Sequence, residues 1–280
     1  MRRLPLILFG ILAAAAARAE SAPQPTFRCT APTEIVKLSQ PLVRVANRLA
    51  RGEPVTIVAI GSSSTAGTGA TTIAANYPSR LMAELSARVP GAVFRVINRG
   101  VGGEDVREML LRFDRDVRDE KPDLVLWQLG TNALLDDDGI MREAPVIREG
   151  VQRVRAIGAD LILVDPQYAP KVLKDPDAES MVELIDEIGH MDSVAVFQRF
   201  ALMRHWNKNQ QIPFERFLSE DLFHMNDWSY ACWAEILARA IVAAMPPAAI
   251  GPMIAKTVPE QPSVAPLAAA MPLPQPAAGR

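Results

Sequence analysis

Five short runs of consecutive apolar residues punctuate the middle of the chain, at 55–60, 93–97, 124–127, 161–164 and 194–197. Each is too short for a helix and rich in β-branched residues, which suits a strand. The runs are continuous rather than alternating, so both faces of each strand are expected to be buried. Between them lie longer stretches whose apolar positions recur at helical spacing: 77–89, 105–118, 142–157 and 180–190. A further helix is expected within 40–50, and a long amphipathic one ends near residue 244. Strands alternating with helices predict an α/β fold, a three-layer α/β/α sandwich around a flavodoxin-like five-stranded parallel sheet. No internal repeat is present.

In such sheets ligands bind beyond the carboxyl ends of the strands. The polar and glycine-rich material falls there. Gly61-Ser62-Ser63-Ser64-Thr65 follows the first run and Asn98-Arg99-Gly100-Val101-Gly102-Gly103-Glu104 the second. Gln128-Leu129-Gly130-Thr131-Asn132 follows the third and Asp165-Pro166-Gln167-Tyr168 the fourth. Asp221-Leu222-Phe223-His224 comes later, just before the last helical stretch. A serine hydroxyl is a weak nucleophile until an imidazole takes its proton, and a carboxylate can orient that imidazole. A spacing of three, read as one helical turn, places Asp221 and His224 on one side. Acyl transfer also needs donors for an oxyanion. The Ser63 N–H, the unobstructed N–H of Gly103 and the amide of Asn132 are the candidates.

The chain has 280 residues, 49% hydrophobic and 22% charged, enough for a full core. A formal net charge of -2 with no basic cluster argues against nucleic acid as a partner. Arg2 and Arg3, an apolar stretch and Ala17-Arg18-Ala19 resemble a secretory signal, with cleavage expected after Ala19. The mature protein is then expected to be exported, to a bacterial periplasm, with no membrane span. Residues 20–50 read as an N-terminal extension, 51–245 as the folded domain and 246–280 as a disordered Pro/Ala-rich tail. Two cysteines, Cys29 and Cys232, have no metal-ligand spacing. An oxidising compartment makes a disulfide between them one reading and two unpaired thiols the other.

Four blocks of the chain, in order and in matching strand context, resemble those of the SGNH hydrolase superfamily, the GDSL-type esterases and lipases. They are Gly61-Ser62-Ser63-Ser64-Thr65, the segment from Asn98 to Glu104, Gly130-Thr131-Asn132 and Asp221-Leu222-Phe223-His224. The resemblance covers roughly 54–245 and implies a serine esterase working through an acyl-enzyme. It implies Ser63 as nucleophile, His224 as base and Asp221 as orienter. Ser63, Gly103 and Asn132 would form the oxyanion hole. It implies no metal or organic cofactor, and a small-molecule or glycan ester substrate, with carbohydrate O-acetyl or short-chain acyl esters expected first. Where the family has Asp after the first glycine, this chain has Ser62. That leaves three adjacent serines, so Ser62 and Ser64 stand as alternatives to Ser63.

The same residues admit other readings. The serine run alone would serve as a helix cap. A phosphate loop lacks its lysine, and the dinucleotide fingerprint fails at Asp105. Asp136-Asp137-Asp138 reads as a solvated loop rather than a metal site. His190 and His205 read as structural or surface residues, Asp165 as a minor alternative orienter. Trp127 is expected in the core, and Trp228, Tyr230 and Trp233 are expected to pack the last helix; Gln128 sits at a strand end, and Gln167 and Tyr168 read either as lining of an acyl or alcohol pocket or as a turn after Pro166. Acyl transfer to a sugar hydroxyl, or glycan binding without catalysis, are the functional alternatives.

Overall fold

The computed structural model describes residues 28–135 and 140–246. Its centre is a five-stranded, wholly parallel sheet: β1 (Val55–Gly61), β2 (Phe94–Gly100), β3 (Leu124–Gln128), β4 (Asp160–Val164) and β5 (Ala195–Phe197). The strand order is β2-β1-β3-β4-β5. This is the flavodoxin-like doubly wound arrangement expected from the sequence. The signal-like segment 1–19, the tail beyond 246 and the Asp136–Asp138 run lie outside the described residues.

The central strands are apolar because both faces are covered. On one face pack α1 (Val43–Ala50), α3 (Tyr77–Arg88) and α10 (Asp227–Ala243). On the other pack α4 (Val106–Leu111), α7 (Glu143–Ala156) and α8 (Ala178–Met191). Short α2 (Ser63–Ala66) follows β1, α5 (Phe113–Asp116) follows α4, α6 (Thr131–Leu135) follows β3 and α9 (Arg199–Arg204) follows β5. Since every strand runs the same way, all five carboxyl ends lie on one edge.

Two elements differ from their sequence reading. β2 runs on through Asn98, Arg99 and Gly100, which pair in register with Ala59, Ile60 and Gly61. It is an edge strand with one face toward solvent, so polar residues continue it, and Arg95 and Arg99 both pair with Glu120. The single helix expected over 105–118 is broken at Arg112 into α4 and α5. The Arg112 side chain turns inward instead of into solvent, and the backbone leaves helical geometry there (φ -105, ψ 7).

Residues 28–50 join the same core. Leu42, Val45, Ala46 and Leu49 are buried, and the Asp160 carboxylate accepts the Val45 N–H at 3.0 Å. Cys29 is disulfide-bonded to Cys232 on α10. Among the described residues no helix is long and apolar enough to cross a membrane.

Candidate active site

β1 delivers the serine run to the carboxyl edge, and β3 holds it there. Gln128, the last residue of β3, accepts three hydrogen bonds at Oε1: from Ser62 N at 2.9 Å, Ser62 Oγ at 3.1 Å and Thr65 Oγ1 at 3.2 Å. This fixes the bend into α2 and turns Ser62 inward. Ser64 also points inward, toward Gln167 Oε1 at 3.5 Å. Ser62 and Ser64 are 2% and 1% exposed, whereas Ser63 is partly open. The three adjacent serines therefore occupy different environments, and only Ser63 faces the histidine.

His224 Nε2 lies 2.9 Å from Ser63 Oγ, and His224 Nδ1 lies 2.5 Å from Asp221 Oδ2. With the proton on Nδ1 donated to the carboxylate, Nε2 carries the lone pair that accepts the Ser63 hydroxyl. Asp221 and His224 do not share a helical turn, contrary to the sequence reading. They sit in a loop closed by an antiparallel bridge between Leu218 and Met225, within which Ser219 N donates to His224 O at 2.8 Å. Leu222 takes a left-handed conformation (φ 51) at its tip, which folds the Asp221 carboxylate back over its own loop. There Oδ1 accepts from Ser219 Oγ at 2.7 Å, His224 N at 2.9 Å and Phe223 N at 3.0 Å. Partial burial pushes the Asp221 carboxyl up. The opposing hydrogen bonds from His224, Ser219 and the two N–H groups outweigh it, holding the group well below the usual carboxylate range. Asp221 is thus held in its ionised form beside the His224 ring.

The loop after α2 is latched to this histidine loop. Asp227, at the start of α10, accepts from Thr71 N at 2.8 Å and Thr71 Oγ1 at 2.5 Å, while Tyr230 Oη donates to Thr68 O at 2.8 Å. Gly69 lies at the seam with φ +90, and a Cβ there would stand 2.3 Å from Met225 O and 3.2 Å from His224 Cβ. Gly69→Ala is therefore expected to push the two loops apart and lower kcat/KM by roughly tenfold to a hundredfold, since displacements near 1 Å are felt that strongly. Steady-state kinetics on folded variant checks it; an unchanged kcat/KM would show that the seam tolerates a methyl group.

The other two donors expected from the sequence, Gly103 and Asn132, lie in the segments that follow β2 and β3. As first residue of α2, Ser63 has no helical carbonyl for its own N–H. The loop after β2 comes close enough that a Cβ on Gly102 would lie 3.9 Å from Ser63 Cβ, and Gly103 turns outward at φ +87 into open space. Asn132 is buried in α6, and its Nδ2 donates to Glu104 O at 2.8 Å. A primary amide has two N–H bonds, so one remains.

The remaining sequence candidates fall elsewhere. His190 is exposed on α8, and His205 faces Gln210 at 3.1 Å. Trp127 and Trp233 are core residues, and Tyr168 packs on Phe200 and Phe214. Asp165 lies in a buried layer beneath the serine turn, where its Oδ1 accepts Phe200 N at 2.8 Å. The same layer holds Arg199, which donates to Asp165 O at 3.0 Å and to Gln167 Oε1 at 3.1 Å; Thr131 Oγ1 also donates to Gln167 Oε1, at 2.9 Å. Gln128 and Gln167, marked in the sequence by their place at strand ends, are both buried beneath the site; Arg199, Ser219 and the Arg112–Glu104 pair were not singled out in sequence.

Burial pushes the Asp165 carboxyl up to about 7. The native state then holds a proton that the unfolded chain has released above its ordinary pKa near 4. Stability from this group is present below about pH 4 and is lost as pH rises through about 7. Asp165→Asn is expected to flatten that slope while keeping the acceptor for Phe200 N, measurable as unfolding midpoints from pH 4 to 8. An equally steep slope in the variant would assign it to another group.

The comparisons agree with this architecture. A 131-residue stretch is 29% identical to an acetylxylan esterase from Geobacillus stearothermophilus, covering 43% of this chain and 57% of that protein. Among solved structures, a two-domain esterase active on acetylated mannans superposes with TM-score 0.62 at 19% identity, over 75% of this chain and 55% of that one. A lipase/acylhydrolase from Enterococcus faecalis superposes with TM-score 0.57 at 23% identity, over 69% and 98%. The chain thus spans little more than half the length of the acetylxylan esterase and of the two-domain esterase. The sequence model of the non-GDSL lipase-like family matches residues 28–246. The absence of the Asp at Ser62 fits that description, and with four blocks assembled on this sheet the chain belongs to the non-GDSL lipase-like family, within the SGNH-like hydrolases.

Proposed function

We propose that the protein is a serine esterase that removes acetyl or other short acyl groups from carbohydrate hydroxyls. The observation that carries this is the unbroken line from Asp221 Oδ2 to His224 Nδ1 and from His224 Nε2 to Ser63 Oγ, at 2.5 and 2.9 Å. In this reading Ser63 Oγ attacks the ester carbonyl as His224 Nε2 takes its proton. The oxyanion is held by the N–H groups of Ser63 and Gly103 and by the Asn132 amide. His224 then returns the proton to the leaving alcohol, leaving Ser63 acylated. Water, losing a proton to His224, releases the acid and restores the serine. The ionised Asp221 keeps the tautomer and stabilises the imidazolium. The substrate class is supported by the printed activities of the relatives on acetylxylan and acetylated mannans. Export through a signal segment is part of the proposal, supported by the Cys29–Cys232 disulfide, which suits an oxidising compartment.

The test is a serine-reactive fluorophosphonate together with acetate release from acetylated xylo- and manno-oligosaccharides. Stoichiometric labelling and acetate release are expected. Folded protein that neither labels nor releases acetate would overturn the reading in favour of binding without chemistry.

A further inference from the structure

All three proposed oxyanion donors trace back to one buried guanidinium. Arg112 stands where α4 gives way to α5, its side chain 8% exposed. Its Nε donates to Glu104 Oε2 at 2.6 Å, its Nη1 to Asp116 Oδ2 at 2.9 Å and its Nη2 to Gly61 O at 3.3 Å. Gly61 is the last residue of β1, two before Ser63. Glu104 follows Gly103 directly, and its carbonyl holds the Asn132 amide at 2.8 Å. The far end of the Gly103 loop is fixed too, because Asp105 and Glu108 form a reciprocal capping box at the start of α4. Arg115 pairs with Asp116 at 2.7 Å, so two cations and two carboxylates balance within the cluster.

We propose that Arg112, acting through Glu104, is the positioning residue of the oxyanion hole. It sets the Gly103 loop and the Asn132 amide at a fixed distance from the strand end that carries Ser63. The inference rests on the esterase reading of the site. It accounts for a cation drawn into the interior at the expense of a continuous helix. The cluster also divides by role: Glu104 links Arg112 to two donors, whereas Asp116 only neutralises it. A charge-assisted pair of this kind gives directional hold as well as charge balance.

The division supplies the test. Arg112→Lys and Glu104→Ala are expected to lower kcat by about tenfold to a hundredfold with KM within about threefold, because oxyanion donors act mainly in the transition state. Asp116→Asn, in the same cluster, is expected to lower the unfolding midpoint while leaving kcat within about twofold of the parent. Arg112→Lys combined with Glu104→Ala is expected to be little worse than either alone, since both cut one connection. The proposal is overturned if folded Glu104→Ala keeps its kcat, if its loss appears in KM alone, or if Asp116→Asn loses kcat equally. Should Arg112→Lys fail to fold, Glu104→Ala alone decides. Failure of the esterase reading is separate, because it would appear in the parent protein as absence of labelling and turnover.

Discussion

Replacing Ser63 with alanine is expected to lower ester hydrolysis by roughly 10⁴- to 10⁶-fold, the scale on which removal of a triad serine acts elsewhere. The reason is specific to the geometry. Ser63 Oγ is the one hydroxyl of the three adjacent serines that reaches His224 Nε2, at 2.9 Å. Ser62→Ala removes a hydroxyl from Gln128, but Gln128 Oε1 still accepts Ser62 N and Thr65 Oγ1. Ser64→Ala removes a long contact to Gln167, which keeps Thr131 and Arg199. Each of these two is expected to destabilise by about 0.5–1.5 kcal/mol, the net worth of one hydrogen bond. Each is also expected to retain activity within about tenfold and to label with fluorophosphonate, because the nucleophile and its base stay in place. Near-parental activity in folded Ser63→Ala, or loss of labelling in Ser64→Ala with labelling kept in Ser63→Ala, would move the nucleophile to another serine.

What the chain announces locally, and what only the fold reveals, divides along physical lines. β1, β3 and β4 are legible because burial on both faces demands unbroken apolar runs. β2 is legible only to Ile97, because an edge strand with one solvent face does not demand it further. Asp221 and His224 are recognisable by spacing, but the hairpin-like loop that joins them depends on the left-handed Leu222 and the Leu218–Met225 bridge. No local pattern marks either. Ser63 and His224 are 161 residues apart and meet because a parallel sheet returns every strand's carboxyl end to one edge. Arg112 is the least legible residue: at helical spacing on a charged segment it reads as a surface arginine. Its partners Glu104 and Gly61 become neighbours only once β1, β2 and α4 are assembled.

Removing the covalent link between the first described segment and α10 is expected to act on stability and not on chemistry. The Cys29–Cys232 disulfide closes a loop across 203 residues, nearly the whole described chain. In the chain-entropy account a closure of that length constrains the unfolded state by about 5 kcal/mol, and loss of native disulfides in practice costs about 2–5 kcal/mol. Cys29→Ser/Cys232→Ser is therefore expected to lose several kcal/mol in denaturant unfolding, with the same loss on reduction of the parent. The site does not hang on this bond. Its contacts with α10 come from Asp227 and Tyr230, and the helix is seated by Trp233, Ala234, Ile236, Leu237 and Ile241, all buried in the core. Variant held well below its unfolding midpoint should keep kcat and KM within about twofold, because a cross-link that acts on the unfolded ensemble leaves the native site unaltered. If kcat instead fell tenfold in fully folded, reduced protein, the N-terminal segment would have to be holding α10, and through Asp227 and Thr71 the serine loop itself, in its working position.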